Sequence, residues 1–379
     1  MHRTLRRLLL PIGLLAANSL TLAAQSWVIG PFMRPTEGPV LEPNKFYYFR
    51  DPLTHERTYW EALSTFNPAA TLSTDGKVAL IFRAEDTSGK DAIGGHTSRL
   101  GLSTSTDGLQ FTTEGAPVLY MANDEENPHE FPGGLEDPRI AVAPDGTYVL
   151  TYTQWARDQG TYTIGIATSK DLVEWKKWGP AFSNAGDTRF AKMKYKSGAI
   201  LTELHNGRVQ AVKVHGTYWM YWGEGRIGLA TSKDLIHWTP VLDPQTHAPK
   251  SVMPPRAGRF DSGFAEVGAP PLLTHKGIVL IYNGKNSTGK GEETNEGDPN
   301  IEPGAYSVGE ALFSSSDPTK LLERTAKPVL TPIWPYERHG QYPAGTTFAE
   351  GLVAYQGQLL LYYGAADTAV GVARAELPR

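Results

Sequence analysis

The sequence predicts an all-β fold, a five-bladed β-propeller spanning residues 25–379 as a single domain. Three observations predict it. A short glycine-led motif recurs along the whole chain, each copy follows an apolar run with strand character, and long amphipathic helical patterns are scarce.

The motif reads Gly101-Leu-Ser-Thr-Ser-Thr-Asp107, Gly165-Ile-Ala-Thr-Ser-Lys-Asp171 and Gly228-Leu-Ala-Thr-Ser-Lys-Asp234. A looser copy runs from Gly309 to Asp317, and the C-terminus cuts short the last, Gly371-Val-Ala-Arg-Ala375. In the full copies an aromatic, Phe111, Trp175 or Trp238, follows the Asp. Ser, Thr and Asp here satisfy backbone groups of a turn, and the aromatic packs between units. No chemistry is assigned to them.

The apolar runs are Val78–Phe82, Tyr148–Tyr152, Tyr218–Trp222, Ile278–Tyr282 and Leu359–Tyr363. They are short, β-branched and aromatic, as strands are. Turn signals such as Asp145-Gly146 and Gln356-Gly357 precede most of them. Repeating units of about 60 residues, each of several short strands, read as blades around a channel. A pair of β-sandwiches is the alternative, but it leaves a repeat through the whole chain unexplained. Ring closure predicts that the N- and C-terminal segments meet. The polar stretch Lys285 to Gly304 reads as a mobile surface loop.

The 39 Gly, 28 Pro, 17 Tyr and 9 Trp fit a protein of turns and aromatic strands. The absence of Cys excludes disulfides, thiolate chemistry and cysteine zinc sites. The His residues show no zinc-like spacing, and there is no phosphate-binding glycine loop or nucleophile elbow. No metal and no cofactor are expected. A net charge of -4, spread without a basic block, makes nucleic acid and anionic membrane poor partners. Arg3, Arg6 and Arg7, the apolar run Leu8–Leu15 and small residues up to Ala24 have the layout of a secretory signal peptide. Residues 1–24 are therefore expected to be removed, and the protein to be secreted or periplasmic. Pro11 and Asn18 break the apolar stretch, which argues against a membrane span.

Polar residues recur ahead of the apolar runs: Asn67, the segment Glu136-Asp137-Pro138-Arg139, Glu266 and Glu350. A second set follows the runs: Arg83, Glu224, Asn283 and Asp367. If the first set lies on innermost strands, both ring the channel mouth. Paired carboxyls around one pocket are what glycoside cleavage needs, one held as acid and one as base or nucleophile. Trp155, Trp222, Tyr282 and Tyr363 would offer stacking faces to a sugar, and Arg83 and Arg139 could donate to hydroxyls or an anion. Taken singly, each acid also reads as turn chemistry or a structural ion pair, and each aromatic as core.

Six segments together resemble glycoside hydrolase family 130: Glu136-Asp-Pro-Arg-Ile140, Ser197-Gly-Ala-Ile200, Tyr221-Trp-Gly-Glu224, Ala230 to Trp238, Phe348-Ala-Glu-Gly-Leu352 and Tyr362 to Asp367. The resemblance covers nearly all of the chain after residue 24 and implies a five-bladed propeller acting on β-mannosides. The family holds phosphorylases, which attack with inorganic phosphate, and inverting hydrolases of β-1,2-mannosides. The hydrolases use two glutamates that phosphorylases lack; Glu224 and Glu266 match those positions. Val267 departs from the Pro of many relatives. The expectation is an exported inverting β-1,2-mannosidase with Glu224 and Glu266 as the acid/base pair, in either order. Asp137, with Asn67, Arg83, Arg139, Glu350 and Asp367, is expected to bind sugar hydroxyls. The expected partner is a glycan containing β-mannosides; oligomeric state is not legible. A phosphorylase and a silent sugar-binding propeller are the alternatives.

Overall fold

A computed structural model describes residues 25–183, 189–190, 193–289 and 291–378; the expected signal peptide lies outside them. The described chain is nearly all β, folded into successive antiparallel meanders. The first comprises β1 (Ser64–Leu72), β2 (Val78–Glu85), β3 (Ser98–Ser105) and β4 (Thr112–Thr113). The next comprises β5 (Gly134–Val142), β6 (Tyr148–Ala156), β7 (Thr161–Ser169) and β8 (Trp175–Pro180). Then come β9 (Gly198–Ile200), β10 (Thr217–Trp222), β11 (Gly228–Ser232) and β12 (Trp238–Pro240). These are followed by β13 (Phe264–Val267), β14 (Gly277–Lys285), β15 (Tyr306–Phe313) and β16 (Leu321–Arg324). The last holds β17 (Thr347–Tyr355), β18 (Gln358–Ala365) and β19 (Ala369–Glu376).

Register explains the repeat. Each motif glycine lies opposite an aromatic of the preceding strand: Gly101 on Phe82, Gly165 on Tyr152, Gly228 on Trp222, Gly309 on Tyr282 and Gly371 on Tyr363. A Cβ on Gly371 would stand 2.3 Å from the Tyr363 ring, and one on Gly101 2.4 Å from the Phe82 ring. At Gly101, Gly165, Gly309 and Gly371 the ring leaves no room for a Cβ, and at Gly228 one would be tight, 3.2 Å from Trp222. The Ser and Asp of the motif cap the next turn. In one copy Asp171 accepts from the Val173 and Glu174 amides at 2.9 Å each, and Leu172 N–H donates to Ser169 Oγ at 2.8 Å.

Buried clusters fill the spaces between consecutive meanders. One joins β2 and β3 to β5 and β6 through Ile81, Leu100, Ile140 and Leu150. Another joins the last meander back to the first through Val353, Tyr362, Leu80 and Phe82. The chain ends meet as expected: Met33 pairs with Arg374 and Leu41 with Val370 on the edge of β19.

A hairpin, Thr202–His205 with Arg208–Ala211, leaves the third meander and turns at Asn206-Gly207. Both turn residues have left-handed φ, 49° and 80°, the conformation an Asn-Gly two-residue turn favours. The hairpin pairs with Val142 on one side and Leu272 on the other. Val209 is fully buried among Leu272, Leu352 and Ala354, and Arg208 donates to the Ser73 carbonyl. These contacts are at the C-terminal ends of the inner strands.

Several carboxyls are buried away from any cavity chemistry. Burial pushes Glu61 up to about 8, and Glu130 and Glu310 up to about 7, the last two against opposing hydrogen bonds. Above the usual carboxylate pKa, the unfolded chain has released protons that the native state keeps. This stabilisation is complete below about 4.5 and is lost as pH rises through about 7 to 8. The urea midpoint is therefore expected to be higher at pH 5 than at pH 8. A midpoint that climbs over this interval would contradict the assignment.

Candidate active site

At the opposite, N-terminal ends of the inner strands lies a cavity of about 390 Å³. Its wall includes Asn67, Arg83, Glu136, Asp137, Lys196, Glu224, Glu266 and Asp367. A wider cleft of about 620 Å³ between the chain ends is lined, among the described residues, by one carboxylate, Glu376.

Bulges aim these side chains. In β1 the register slips between Phe66 and Pro68, and in β5 between Glu136 and Arg139. A bulge turns a side chain out of the ladder, and the following prolines need no ladder partner. Asn67 and Asp137 take φ of 46° and 48°, a conformation that residues before proline rarely adopt. Asn and Asp tolerate it better than most residues.

The two are equivalent, and they touch: Asn67 Nδ2 donates to Asp137 Oδ1 at 2.8 Å. The other two acids of this set are offset from them. Glu266 pairs in register with Asn283 without a bulge, one position earlier; Glu350 sits at a bulge between Ala349 and Gly351, deeper in the strand.

Arg83 is the hub of the deep end. Its guanidinium donates to Glu85 at 2.6 Å, Glu136 at 2.8 Å and Asp137 at 3.0 Å, and to Ser98 Oγ at 3.0 Å. Burial works against ionisation of Asp137, but Arg83, Lys196, Arg139 and Asn67 outweigh it and hold the carboxyl down, at about 2. Burial pushes Asp367 up to about 7, with Arg83 opposing and Asp137 adding.

Glu224 and Glu266 converge on Lys196. The ammonium stands 3.4 Å from Glu224 Oε1 and 3.6 Å from Glu266 Oε1, so these oxygens are at most about 7 Å apart. Glu224 lies between Gly223 and Gly225, in the turn joining β10 to β11. Val267 N–H donates to the Gly223 carbonyl and Ala265 N–H to the Gly225 carbonyl, which ties this turn to the strand bearing Glu266. Glu266 is 1 % exposed, and Ser197 Oγ donates to it at 2.5 Å. Burial pushes its carboxyl up to about 7; Lys196 and Ser197 oppose this and Glu224 adds to it.

Two expectations need correction. Arg139 and Glu350 lie behind the cavity wall. Arg139 donates to the carbonyls of Asp137, Val267 and Gly268, and contacts Glu350 at 2.8 Å, both side chains being buried. Trp222, Tyr282 and Tyr363 belong to the core, over the motif glycines; of the expected stacking aromatics only Trp155 lines the cavity. The described residues of the 285–304 stretch are mostly at the surface, as expected, and buried Asn286 donates to the carbonyls of Asp298 and Ile301. Lys196, Ser197, Tyr162, Tyr306 and Tyr342 are the site residues that sequence reasoning missed. Extending the inner-strand comparison to the third meander points to Lys196-Ser197, just before β9.

Carboxyls paired beside aromatic edges and a polar floor are the groups that glycoside cleavage uses. The profile of a family described as beta-1,4-mannooligosaccharide phosphorylase matches residues 34–378. The chain belongs to this family, glycoside hydrolase family 130. It is 32% identical over 319 residues to a 1,2-beta-oligomannan phosphorylase of Thermoanaerobacter sp. (strain X514), covering 84% of this chain and 92% of that protein. A putative glycoside hydrolase from Parabacteroides distasonis superposes with TM-score 0.89 at 45% identity, covering 94% of this chain and 99% of its own. A structure from work reporting that this family contains glycoside hydrolases targeting beta-1,2 mannosidic linkages in Candida mannan superposes with TM-score 0.88. Its identity is 45%, with 93% of this chain and 96% of its own covered.

Proposed function

We propose that the protein is an exported, five-bladed β-propeller that hydrolyses β-1,2-linked mannosides with inversion. The observation that carries this reading is the pairing of Lys196 with both Glu224 and Glu266. A phosphate nucleophile needs a cation to receive it. The described residues of the cavity wall supply two cations, Arg83 and Lys196, against five carboxyls. Arg83 is already shared among Glu85, Glu136 and Asp137. Arg139 is spent on backbone carbonyls and Glu350. A phosphate dianion entering beside two glutamates meets like charge in a partly dry pocket. Water meets a base.

In this mechanism Glu266, buried and pushed up to about 7, holds the proton that passes to the leaving oxygen. Glu224, the more exposed of the two, accepts the proton of the attacking water. Lys196 holds the two side chains toward one another. A bound of about 7 Å between their oxygens admits the roughly 6.5–9.5 Å carboxyl spacing that leaves room for a water. Asp137, held ionised by Arg83 and Asn67, binds hydroxyls of the sugar being released, with Asn67 and Asp367 beside it. Export rests on the N-terminal sequence. Outside the cytoplasm a sugar phosphate brings a cell little, while water is abundant.

The second reading, phosphorolysis, is favoured by the names of the 32% and 29% identical relatives. Incubating the protein with β-1,2-mannobiose with and without phosphate decides between them. Free mannose at equal rates in both is expected. Mannose 1-phosphate, or turnover that requires phosphate, overturns the hydrolase reading.

A further inference from the structure

The rim of the cavity carries an isoleucine that the catalytic scheme does not use. Ile93 is 63% exposed and lines the mouth beside Gly94, Trp155 and Tyr162. A single exposed apolar side chain is ordinary on a protein surface. This one sits on a purpose-shaped support. The loop between β2 and β3 folds back on itself: Lys90 N–H donates to the Gly95 carbonyl at 3.0 Å and Gly95 N–H to the Ala92 carbonyl at 2.8 Å. A Cβ on Gly95 would lie 2.3 Å from the Lys90 carbonyl oxygen, and one on Gly89 2.2 Å from that of Gly95, so only glycine permits this knuckle. Arg157 and Trp155 then clamp it. Arg157 donates to the Gly95 and His96 carbonyls, and Trp155 Nε1 to the Gly94 carbonyl at 3.0 Å.

The same hydrogen bond fixes the Trp155 ring, which also lies flat on Gly133, where a Cβ would come within 2.0 Å of it. Tyr162 stands next to Trp155, ring centroids 5.9 Å apart, and its hydroxyl faces Glu224. An apolar strip, Ile93–Trp155–Tyr162, thus runs along the rim to one of the two central glutamates. The deep end, in contrast, is walled by Asn67, Arg83, Asp137 and Asp367. The far end of the inner strands is filled by the Val209 hairpin. Tyr306, Tyr342 and Phe348 line another part of the wall, and the Ile93–Trp155–Tyr162 strip is the part that carries an exposed aliphatic side chain.

We propose that Ile93, Trp155 and Tyr162 form the subsite for the leaving-group sugar, receiving the C–H face of its pyranose ring. This rests on the mannosidase reading above. The strip is pre-shaped, so binding a sugar there orders little protein.

The test is Ile93→Ala, assayed on β-1,2-mannobiose and on β-mannosyl fluoride, whose leaving group is one atom. Ile93 is exposed, so its truncation leaves the fold intact. The ratio of kcat/KM for mannobiose to that for the fluoride is expected to fall about tenfold, the size of effect one apolar contact exerts on specificity. Ile93→Leu is expected to restore most of it. An unchanged ratio, with either equal losses or none on the two substrates, overturns the subsite. A wild-type protein that cleaves neither substrate sinks the mannosidase reading itself.

Discussion

Replacing Glu266 with Gln is expected to lower kcat on β-1,2-mannobiose by about 10²–10⁴-fold while the protein stays folded. The amide keeps an oxygen to accept the Ser197 hydroxyl bond, and it fills the same buried volume. It cannot release a proton to the departing oxygen. Glu224→Gln is expected to lose a similar factor for the opposite reason, since an amide cannot take the proton of water. The two losses are separable. A dinitrophenyl β-mannoside carries a leaving group that needs no protonation, so it should largely rescue Glu266→Gln and leave Glu224→Gln inactive. Azide should restore turnover to Glu224→Gln alone, by replacing the activated water. The acid limb of the scheme also predicts that kcat/KM falls above about pH 7, where Glu266 gives up its proton. Near-normal turnover by both variants would remove these residues from the mechanism, and reversed rescue patterns would exchange their roles.

Arg139→Met is expected to be among the most destabilising single changes in the cavity region, by about 3–5 kcal/mol. Arg139 spans two meanders: it is rooted in β5 and donates to the Val267 and Gly268 carbonyls at the end of β13. It also faces Glu350, whose carboxyl is fully buried and pushed well above the usual range by burial, Arg139 opposing. Removing the guanidinium strands that carboxyl and three carbonyls together. Urea denaturation of Arg139→Met, Glu350→Gln and the double variant measures how much of the loss is the pair. The double variant is expected to be more stable than the sum of the singles implies, because each single leaves a partner unmatched. Additive losses would show that the ion pair carries little and the carbonyl contacts carry the tie.

The sequence spoke most clearly where one physical constraint repeats. Gly101, Gly165, Gly228, Gly309 and Gly371 each face a ring, so the same residue is favoured at the same place in every meander. Glu224, Glu266, Asp137, Asn67, Arg83 and Asp367 were found together because they sit at recurring places around those runs, and the cavity gathers all of them. Arg139 follows Asp137 by two residues and Glu350 sits deeper in its strand, where alternating faces and a bulge that shifts the phase turn both away from the cavity. Bulge positions are not written in local composition, so the step from lining the cavity to lying behind it was invisible. Lys196 was missed for a different reason. It belongs to the meander whose short inner strand, Gly198–Ile200, carries no polar side chain to mark the level.

The hairpin that turns at Asn206-Gly207 constrains traffic. Val209 packs among the inner strands at the end opposite the cavity. On the mannosidase reading proposed above, a sugar released in the deep end is expected to leave past the rest of the substrate, at the same mouth. The shortened chain therefore has to step away before the freed monosaccharide can follow. On the mannosidase reading, this geometry predicts distributive action, with each chain end met anew. Early in digestion the pool is then expected to shorten evenly, with free mannose competing with fresh chain ends for the same doorway.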